Sequence, residues 1–336
     1  MSKRKLSKQQ KSRIAQNQQS RQSQPSDPGA NPPSGQLGPE SSGLVISHFG
    51  QQLEVEPTSL ETTDRLFRCY QRANLPSLVT GDRVIWQQDG PDSGVIVALD
   101  SRQNVLSRPN SQGELKPIAS NIDLVMVVIA PVPEPFANLV DRYLVAIESL
   151  ELQPIVLANK LDLIDSQNDT KIVSMLSMYK KIGYEVLQVS ALDGSGMDAL
   201  ARVLKSRTGV FVGQSGVGKS SLINALGAEA RAETGALSTG KEKGTHTTTT
   251  AKLFHLKDCN LIDSPGIRDF SLWHISGDQL FNGFIEFAKF AGQCKFRDCS
   301  HQSEPGCVLQ EAVEQGEIIA DRLESYLHIK QTLASR

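Results

Sequence analysis

Aromatic residues make up only 5% of this 336-residue chain, tryptophan occurs twice, and there are five cysteines. An odd set of thiols with three gathered late does not make a disulfide framework, and fits a reducing compartment and a metal site instead. No apolar run approaches the ~18 residues a membrane span needs. No apolar segment follows the basic start as a signal peptide would require, so the sequence predicts a cytoplasmic protein without a membrane partner. Net charge is −2, too small to announce a partner by field alone. Acid is missing locally, however. None precedes Asp27, while Lys3, Arg4, Lys5, Lys8, Lys11, Arg13 and Arg21 stand among Gln and Ser. That composition cannot bury enough apolar surface to order itself. It predicts a disordered basic arm, either a salt-sensitive binder of polyanions or a solubilising tail. From 26 to 42 the residues turn to Pro, Gly and Ser, so arm and linker together occupy 1–42.

Gly213-Gln214-Ser215-Gly216-Val217-Gly218-Lys219-Ser220 fits the phosphate-loop pattern at every fixed position. Gly209-Val210-Phe211-Val212 ahead of it reads as a buried strand, and Ser221-Leu222-Ile223-Asn224-Ala225-Leu226 behind it has helical spacing. Strand, glycine loop and helix aim free backbone N–H groups at phosphate oxygens. Lys219 then sits on the β- and γ-phosphates and the Ser220 hydroxyl on Mg²⁺, with Ser221 beside them.

Buried strands alternate with helices around this loop, as in a parallel sheet. The strand at 154–158 ends in Asn159-Lys160-Leu161-Asp162, and a strand at 186–189 ends in Ser190-Ala191. A carboxylate such as Asp162 accepts from guanine N1–H and the 2-amino group, donors that adenine lacks on that edge. Asn159 and Lys160 brace base and loop, and the Ala191 N–H meets guanine O6. A strand at 260–262 ends in Asp263-Ser264-Pro265-Gly266, where Asp263 holds Mg²⁺ through water and the Gly266 N–H reports on the γ-phosphate. Between them lies Gly244-Thr245-His246-Thr247-Thr248-Thr249-Thr250, from which Thr248 completes the Mg²⁺ shell. Ile267 stands where many GTPases carry a water-orienting glutamine, and His246 is the nearest polar side chain able to replace it. The motif order is rotated: the guanine-reading segments precede the phosphate loop, a circular permutation cut just after the second switch.

Short β-like runs between 43 and 117, punctuated by Gly81-Asp82 and Asp89-Gly90-Pro91-Asp92, suggest a small barrel of about five strands, of oligonucleotide-binding (OB) type. Arg65, Arg68, Arg72, Arg83, Arg102 and Arg108 with Phe67, Tyr70 and Trp86 are compatible with an RNA-facing surface; each aromatic is equally compatible with the barrel core. Near the C-terminus, Cys294, Cys299, His301 and Cys307 place three thiols and an imidazole in the spacing C-x4-C-x-H-x5-C. That set suits a closed, structural tetrahedral Zn²⁺ site, framed by helices over 278–289 and from 308 to about 330. Cys69 and Cys259 read as ordinary buried or half-buried thiols.

Permuted order, small barrel and Cys–His cluster together resemble the ribosome small-subunit-dependent GTPase A family, RsgA. The resemblance covers the chain from about residue 43 onward. It implies an OB-type barrel at 43–117, a circularly permuted α/β P-loop GTPase domain at 118–272 and a mainly α-helical zinc-binding domain at 273–336. It further implies Mg²⁺-dependent hydrolysis of GTP to GDP in late maturation of the small (30S) ribosomal subunit, activated by that subunit and contacting its 16S rRNA. A monomer is expected, with His246 taking part in hydrolysis. Two other readings stay open: an RNA-binding assembly chaperone for which GTP is a structural ligand, and an ATPase.

Overall fold

Alternation of apolar and polar residues with period two makes strands with one buried face, and five such strands build the N-terminal part of the chain. They are β1 (Glu40–Phe49), β2 (Gln52–Pro57), β3 (Phe67–Gln71), β4 (Arg83–Gln88) and β5 (Ser93–Leu99). Their order is β1-β2-β3-β5-β4, and β4 pairs antiparallel with β1, which closes the sheet into a barrel. Closure leaves no unpaired strand edge. All pairs are antiparallel except β3 with β5. Alternate residues fill the interior: Val45, Leu53, Val55, Phe67, Val84, Trp86 and Ile96 are all buried. In the computed structural model, residues 37–49, 52–58, 65–109, 114–164, 170–234, 251–263 and 275–334 are described. They divide into two units after Gln103.

The barrel settles the alternatives for its aromatics. Phe67 and Trp86 pack in the core with ring centroids 4.7 Å apart, whereas Tyr70 is 50% exposed. The arginines divide as well. Arg102 donates from Nε and Nη2 to the buried Asp82 carboxylate, both at 2.7 Å, so it is a structural ion pair. Arg65 pairs with Asp92 and lies over the Phe67 ring. Arg68 and Arg83 remain exposed. The Arg108 side chain lies outside the described set.

The barrel strands end at Leu99, short of the expected 117. Instead, β6 (Val105–Pro109) and β7 (Leu115–Ser120) pair only with each other and fall in the second unit. Asn104 ties this strand pair to the chain at Ile122: its Nδ2 donates to the Ile122 carbonyl at 2.7 Å and its Oδ1 accepts from the Ile122 N–H at 2.9 Å.

The second unit is organised by β8 (Leu124–Ile129), β9 (Gln153–Ala158), β10 (Glu185–Gln188), β11 (Thr208–Val212), β12 (Lys252–His255) and β13 (Asn260–Asp263). They stand in the order β10-β9-β8-β11-β13-β12, parallel except for β12. Every residue of β8 is buried, as a central parallel strand covered on both faces must be. The helices between these strands are α1 (Ala137–Glu148), α2 (Thr170–Ile182), α3 (Met197–Leu204) and α4 (Lys219–Thr234).

The C-terminal helices are shorter than expected. The 278–289 helix is α5 (Gly277–Asn282), N-capped by Ser276 with Gln279 completing a capping box, followed by a 3₁₀ segment Ile285–Phe290. The helix expected from 308 to about 330 is two, α6 (Val308–Glu314) and α7 (Ala320–Ala334). Gly316 divides them: it takes φ +73°, while the Gly316 and Glu317 N–H groups turn back to the Val313 and Ala312 carbonyls. These helices share one core with α1, in which Val145 and Ala146 meet Leu280, Phe284, Leu309 and Ile329.

Candidate nucleotide site and metal centre

The expected site residues that are described sit where parallel strands end, the edge at which α/β sheets take ligands. The phosphate loop leaves the end of β11, Asn159 follows β9, Ser190 follows β10 by two residues, and Asp263 ends β13. Since β9, β8, β11 and β13 are parallel neighbours, the rotated chain order still delivers these segments to one edge.

Glycine is demanded in the loop at two points. Gly213 has φ +137°, and a Cβ there would lie 2.2 Å from the Val128 carbonyl oxygen. Gly218 has φ +94°, and a Cβ there would lie 2.3 Å from Asn159 Nδ2. That close approach has a purpose, because Asn159 Nδ2 donates to the Val217 carbonyl at 2.9 Å while its Oδ1 accepts from the Ala191 N–H at 3.2 Å. One buried amide thus ties the β9 end, the phosphate loop and the β10 end together. Lys219 Nζ donates to the Gly213 and Gln214 carbonyls, at 2.7 and 2.6 Å. A triphosphate offers that ammonium stronger, charged acceptors in the same loop.

Asp162 and Ser190 are brought together. The buried Ser190 hydroxyl donates to Asp162 Oδ1 at 2.5 Å and accepts from the Leu192 and Asp193 N–H groups. The Ser195 N–H holds the exposed Asp193 carboxyl below its usual range and so pins the same turn. Lys160 adopts φ +62° at the start of the 3₁₀ turn Leu161–Leu163, and its Nζ donates to the Val132 carbonyl at 2.6 Å. A cavity of about 640 Å³ opens between Asp162, Ala191, Gly218 and Ser221. It is large enough for a nucleotide base and sugar.

Sequence reasoning missed the walls of this cavity. Leu192 is 84% exposed and Leu163 52%, and both line it together with Asn224 of α4. Leu192 carried a signal, an apolar residue set in the polar turn Leu192-Asp193-Gly194-Ser195. Val132, which holds the lining residue Lys160 from outside the cavity, carried none, because its part is played by a backbone carbonyl. The predicted Thr248, His246 and Gly266, with Ile267, lie outside the described residues.

Cys294, Cys299, His301 and Cys307 converge as expected, their ligand atoms all within 4.8 Å of one another. The Cys294 and Cys307 Sγ atoms each stand 3.5 Å from His301 Nδ1. Tetrahedral zinc bonds to sulfur and nitrogen imply a ligand separation of roughly 3.6 Å, so these residues fit zinc. Burial, then the Lys330 charge, lower the His301 pKa and favour the neutral ring a metal needs. His301 holds φ +66°, Gln310 Nε2 donates to its carbonyl, and Glu304 gathers the N–H groups of Ser300, Gln302 and Ser303. Cys69 is buried and Cys259 half-buried.

Arg322 of α7 is 1% exposed. It binds Asp141 of α1 and donates to Glu286 at 2.6 Å, and Tyr179 of α2 donates to the same Asp141 oxygen at 2.6 Å. Nothing in the periodicity marks this group, whose members are far apart in sequence.

A family described as RsgA GTPase matches residues 99–273. Proteins named small ribosomal subunit biogenesis GTPase RsgA are similar over 89% of this chain and 88% of their own length. That of Ectopseudomonas mendocina is 53% identical and that of Pseudomonas putida 52%. Among solved structures, YjeQ from Thermotoga maritima is 32% identical, with TM-score 0.71 over 88% of this chain and 99% of its own. YloQ, described as a circularly permuted GTPase, is 28% identical, with TM-score 0.67 over 91% of this chain and 99% of its own.

Proposed function

The chain belongs to the RsgA GTPase family and is a GTP phosphohydrolase, and from that premise we propose that it serves biogenesis of the small ribosomal subunit, hydrolysing GTP slowly alone and faster on that subunit. The observation that carries the reading is the Asn159 amide, which joins the guanine-reading strand ends to the phosphate loop around one cavity. Asp162, held by Ser190, takes guanine N1–H and the 2-amino group; the Ala191 N–H takes O6; the stem of Lys160 lies along the base. The loop from Gly213 through Gly216 to Ser220, with Ser221, wraps the phosphates, and Lys219 transfers its hydrogen bonds from loop carbonyls to phosphate oxygens.

Ser220, Thr248 and Asp263, the last through water, would hold Mg²⁺, which neutralises charge on the β- and γ-phosphates. In hydrolysis a water oxygen bonds to the γ-phosphorus, the bond to the β-phosphate oxygen breaks, and GDP and phosphate leave. His246 orients that water in place of a glutamine, and the Gly266 N–H senses the γ-phosphate. Cys294, Cys299, His301 and Cys307 would hold zinc as a structural staple with no open position for substrate.

The barrel, with its five-strand order and exposed Arg68, Tyr70 and Arg83, is an OB-type surface for rRNA. The zinc-binding helices and the basic arm complete the RNA contacts. The names borne by the relatives support the small subunit as partner. Turnover measured with and without isolated small subunits tests the reading: stimulation is expected, and equal rates overturn activation. If His246→Ala abolished hydrolysis yet left release from the subunit intact, GTP would be a structural ligand instead.

A further inference from the structure

A cavity of about 690 Å³ that the GTPase reaction does not use opens at the metal centre, with Cys294, Cys299 and His301 themselves part of its lining. The buried Phe290 and Tyr326 and the half-buried Phe281 also line it, together with the exposed Lys295 and Arg297, the half-buried Lys330 and one acid, Asp278, while the exposed Asp298 follows Arg297 in the chain. Phe296 lines it too, 43% exposed, in a region whose other large aromatics are mostly buried. Lys295 Nζ lies 5.5 Å from the centre of the Phe296 ring. The segment is held in place before any ligand arrives. The Lys295 N–H donates to the Gly306 carbonyl at 3.0 Å, the Cys299 N–H to the Phe296 carbonyl at 3.3 Å, and Lys330 Nζ to the Ser300 carbonyl at 3.1 Å.

An aromatic face flanked by cations at the mouth of a roomy cavity is the chemistry that receives an unstacked base together with its phosphate. A stacked base gains from the ring face, and the neighbouring ammonium and guanidinium groups neutralise its backbone. A protein partner would find an exposed aromatic too, but the cations outnumber the acids, three to one among the lining residues and three to two with the neighbouring Asp298, which favours a polyanion.

We propose that Phe296, Lys295 and Arg297 form a binding site for one unpaired nucleotide of RNA, the base stacking on Phe296 and entering the cavity beside the metal centre. The inference deepens the RNA-docking role assigned above to the zinc-binding helices and rests on it. It concerns recognition alone, since none of the three residues lines the nucleotide cavity.

The test uses the full chain, with two probes: a single-stranded 12-mer oligoribonucleotide followed by anisotropy, and isolated small subunits followed by cosedimentation. Phe296→Leu keeps an apolar side chain of similar size and removes the ring face. It should weaken both affinities on the order of 10-fold, the effect of one lost base stack, with zinc content and intrinsic GTP turnover unchanged. Phe296→Trp should restore binding. Arg297→Gln, which leaves the aromatic wall intact, should weaken binding and flatten its salt dependence. A photo-crosslinker at position 296 should attach to RNA. Unchanged affinity for both probes in Phe296→Leu and Arg297→Gln, or crosslinking to a ribosomal protein, overturns the site. Wild-type chain that binds the oligonucleotide through Phe296 but not the subunit keeps the site and overturns the ribosomal role; binding to neither overturns both.

Discussion

The exposed Asp162 carboxylate has one oxygen engaged by the Ser190 hydroxyl, which fixes its position and leaves further acceptor capacity for a base. In the proposed function, base choice rests on this one side chain. Asp162→Asn replaces an acceptor by a donor, so guanine nucleotide should lose roughly 10⁴-fold in affinity while xanthine nucleotide, with a carbonyl at that position, gains. Competition titration with the two nucleotides checks this, and retained guanine preference would contradict it. Gly218 is a second decisive residue. In Gly218→Ala the new methyl meets Asn159 Nδ2 at 2.3 Å at a φ of +94°. The variant should be less stable by about 1–3 kcal/mol. It should also bind GDP poorly, because relieving the clash moves the amide that ties loop to base site; chemical denaturation and GDP titration read the two effects. Both residues were legible in the sequence, because fixed spacing and a glycine requirement are written in residue type. The Leu192 wall was less so, since an exposed leucine gains its meaning only from the cavity beside it.

At the scale of elements, α1, α2 and α7 meet at Arg322, buried with Asp141, Glu286 and the Tyr179 hydroxyl. The guanidinium also lies 4.3 Å from the Phe284 ring centre. Burial opposes its charge, but the Asp141 and Glu286 carboxylates outweigh that penalty and raise its pKa. Arg322→Met leaves two carboxylates without their counter-charge and should cost about 3–5 kcal/mol. The unfolding midpoint in denaturant measures it, and a loss below ~1 kcal/mol would show that the site relaxes. The strands were readable from apolar runs because a parallel sheet buries both faces. The Gly316 break between α6 and α7 was not, since the apolar spacing on either side continues in register with a single helix and only the backbone turn at φ +73° separates them.

At the scale of the molecule, the metal-centre helices and α1 share one hydrophobic core, so loss of metal should be felt beyond the four ligands. Chelation is expected to lower the melting temperature of the second unit and release zinc in the same transition; a chelated protein with unchanged melting would contradict this. The pH dependence has a definite sign. His301 is depressed below its ordinary 6.5, first by burial and then by Lys330. Its neutral, metal-ready form is therefore fully present above 6.5, and its stabilisation is lost as pH falls through the lower folded value. His301 protonation should accordingly add to the protonation of the thiols in weakening zinc binding on the acid side of 6.5, a steepening of the pH dependence followed by a chromogenic chelator. The amino-acid sequence by itself determined the GTPase family, the rotated motif order and the Cys–His set that converges to fit a metal, because each is a local pattern of residue types at set spacings. Only the tertiary structure decided that Phe67 and Trp86 are core while Tyr70 is surface, that 105–109 pair with 115–120 in a sheet of their own, and that Asp141, Tyr179, Glu286 and Arg322 meet. Those outcomes depend on which strands pair and which helix faces meet, contacts between residues remote in the chain that no local spacing encodes.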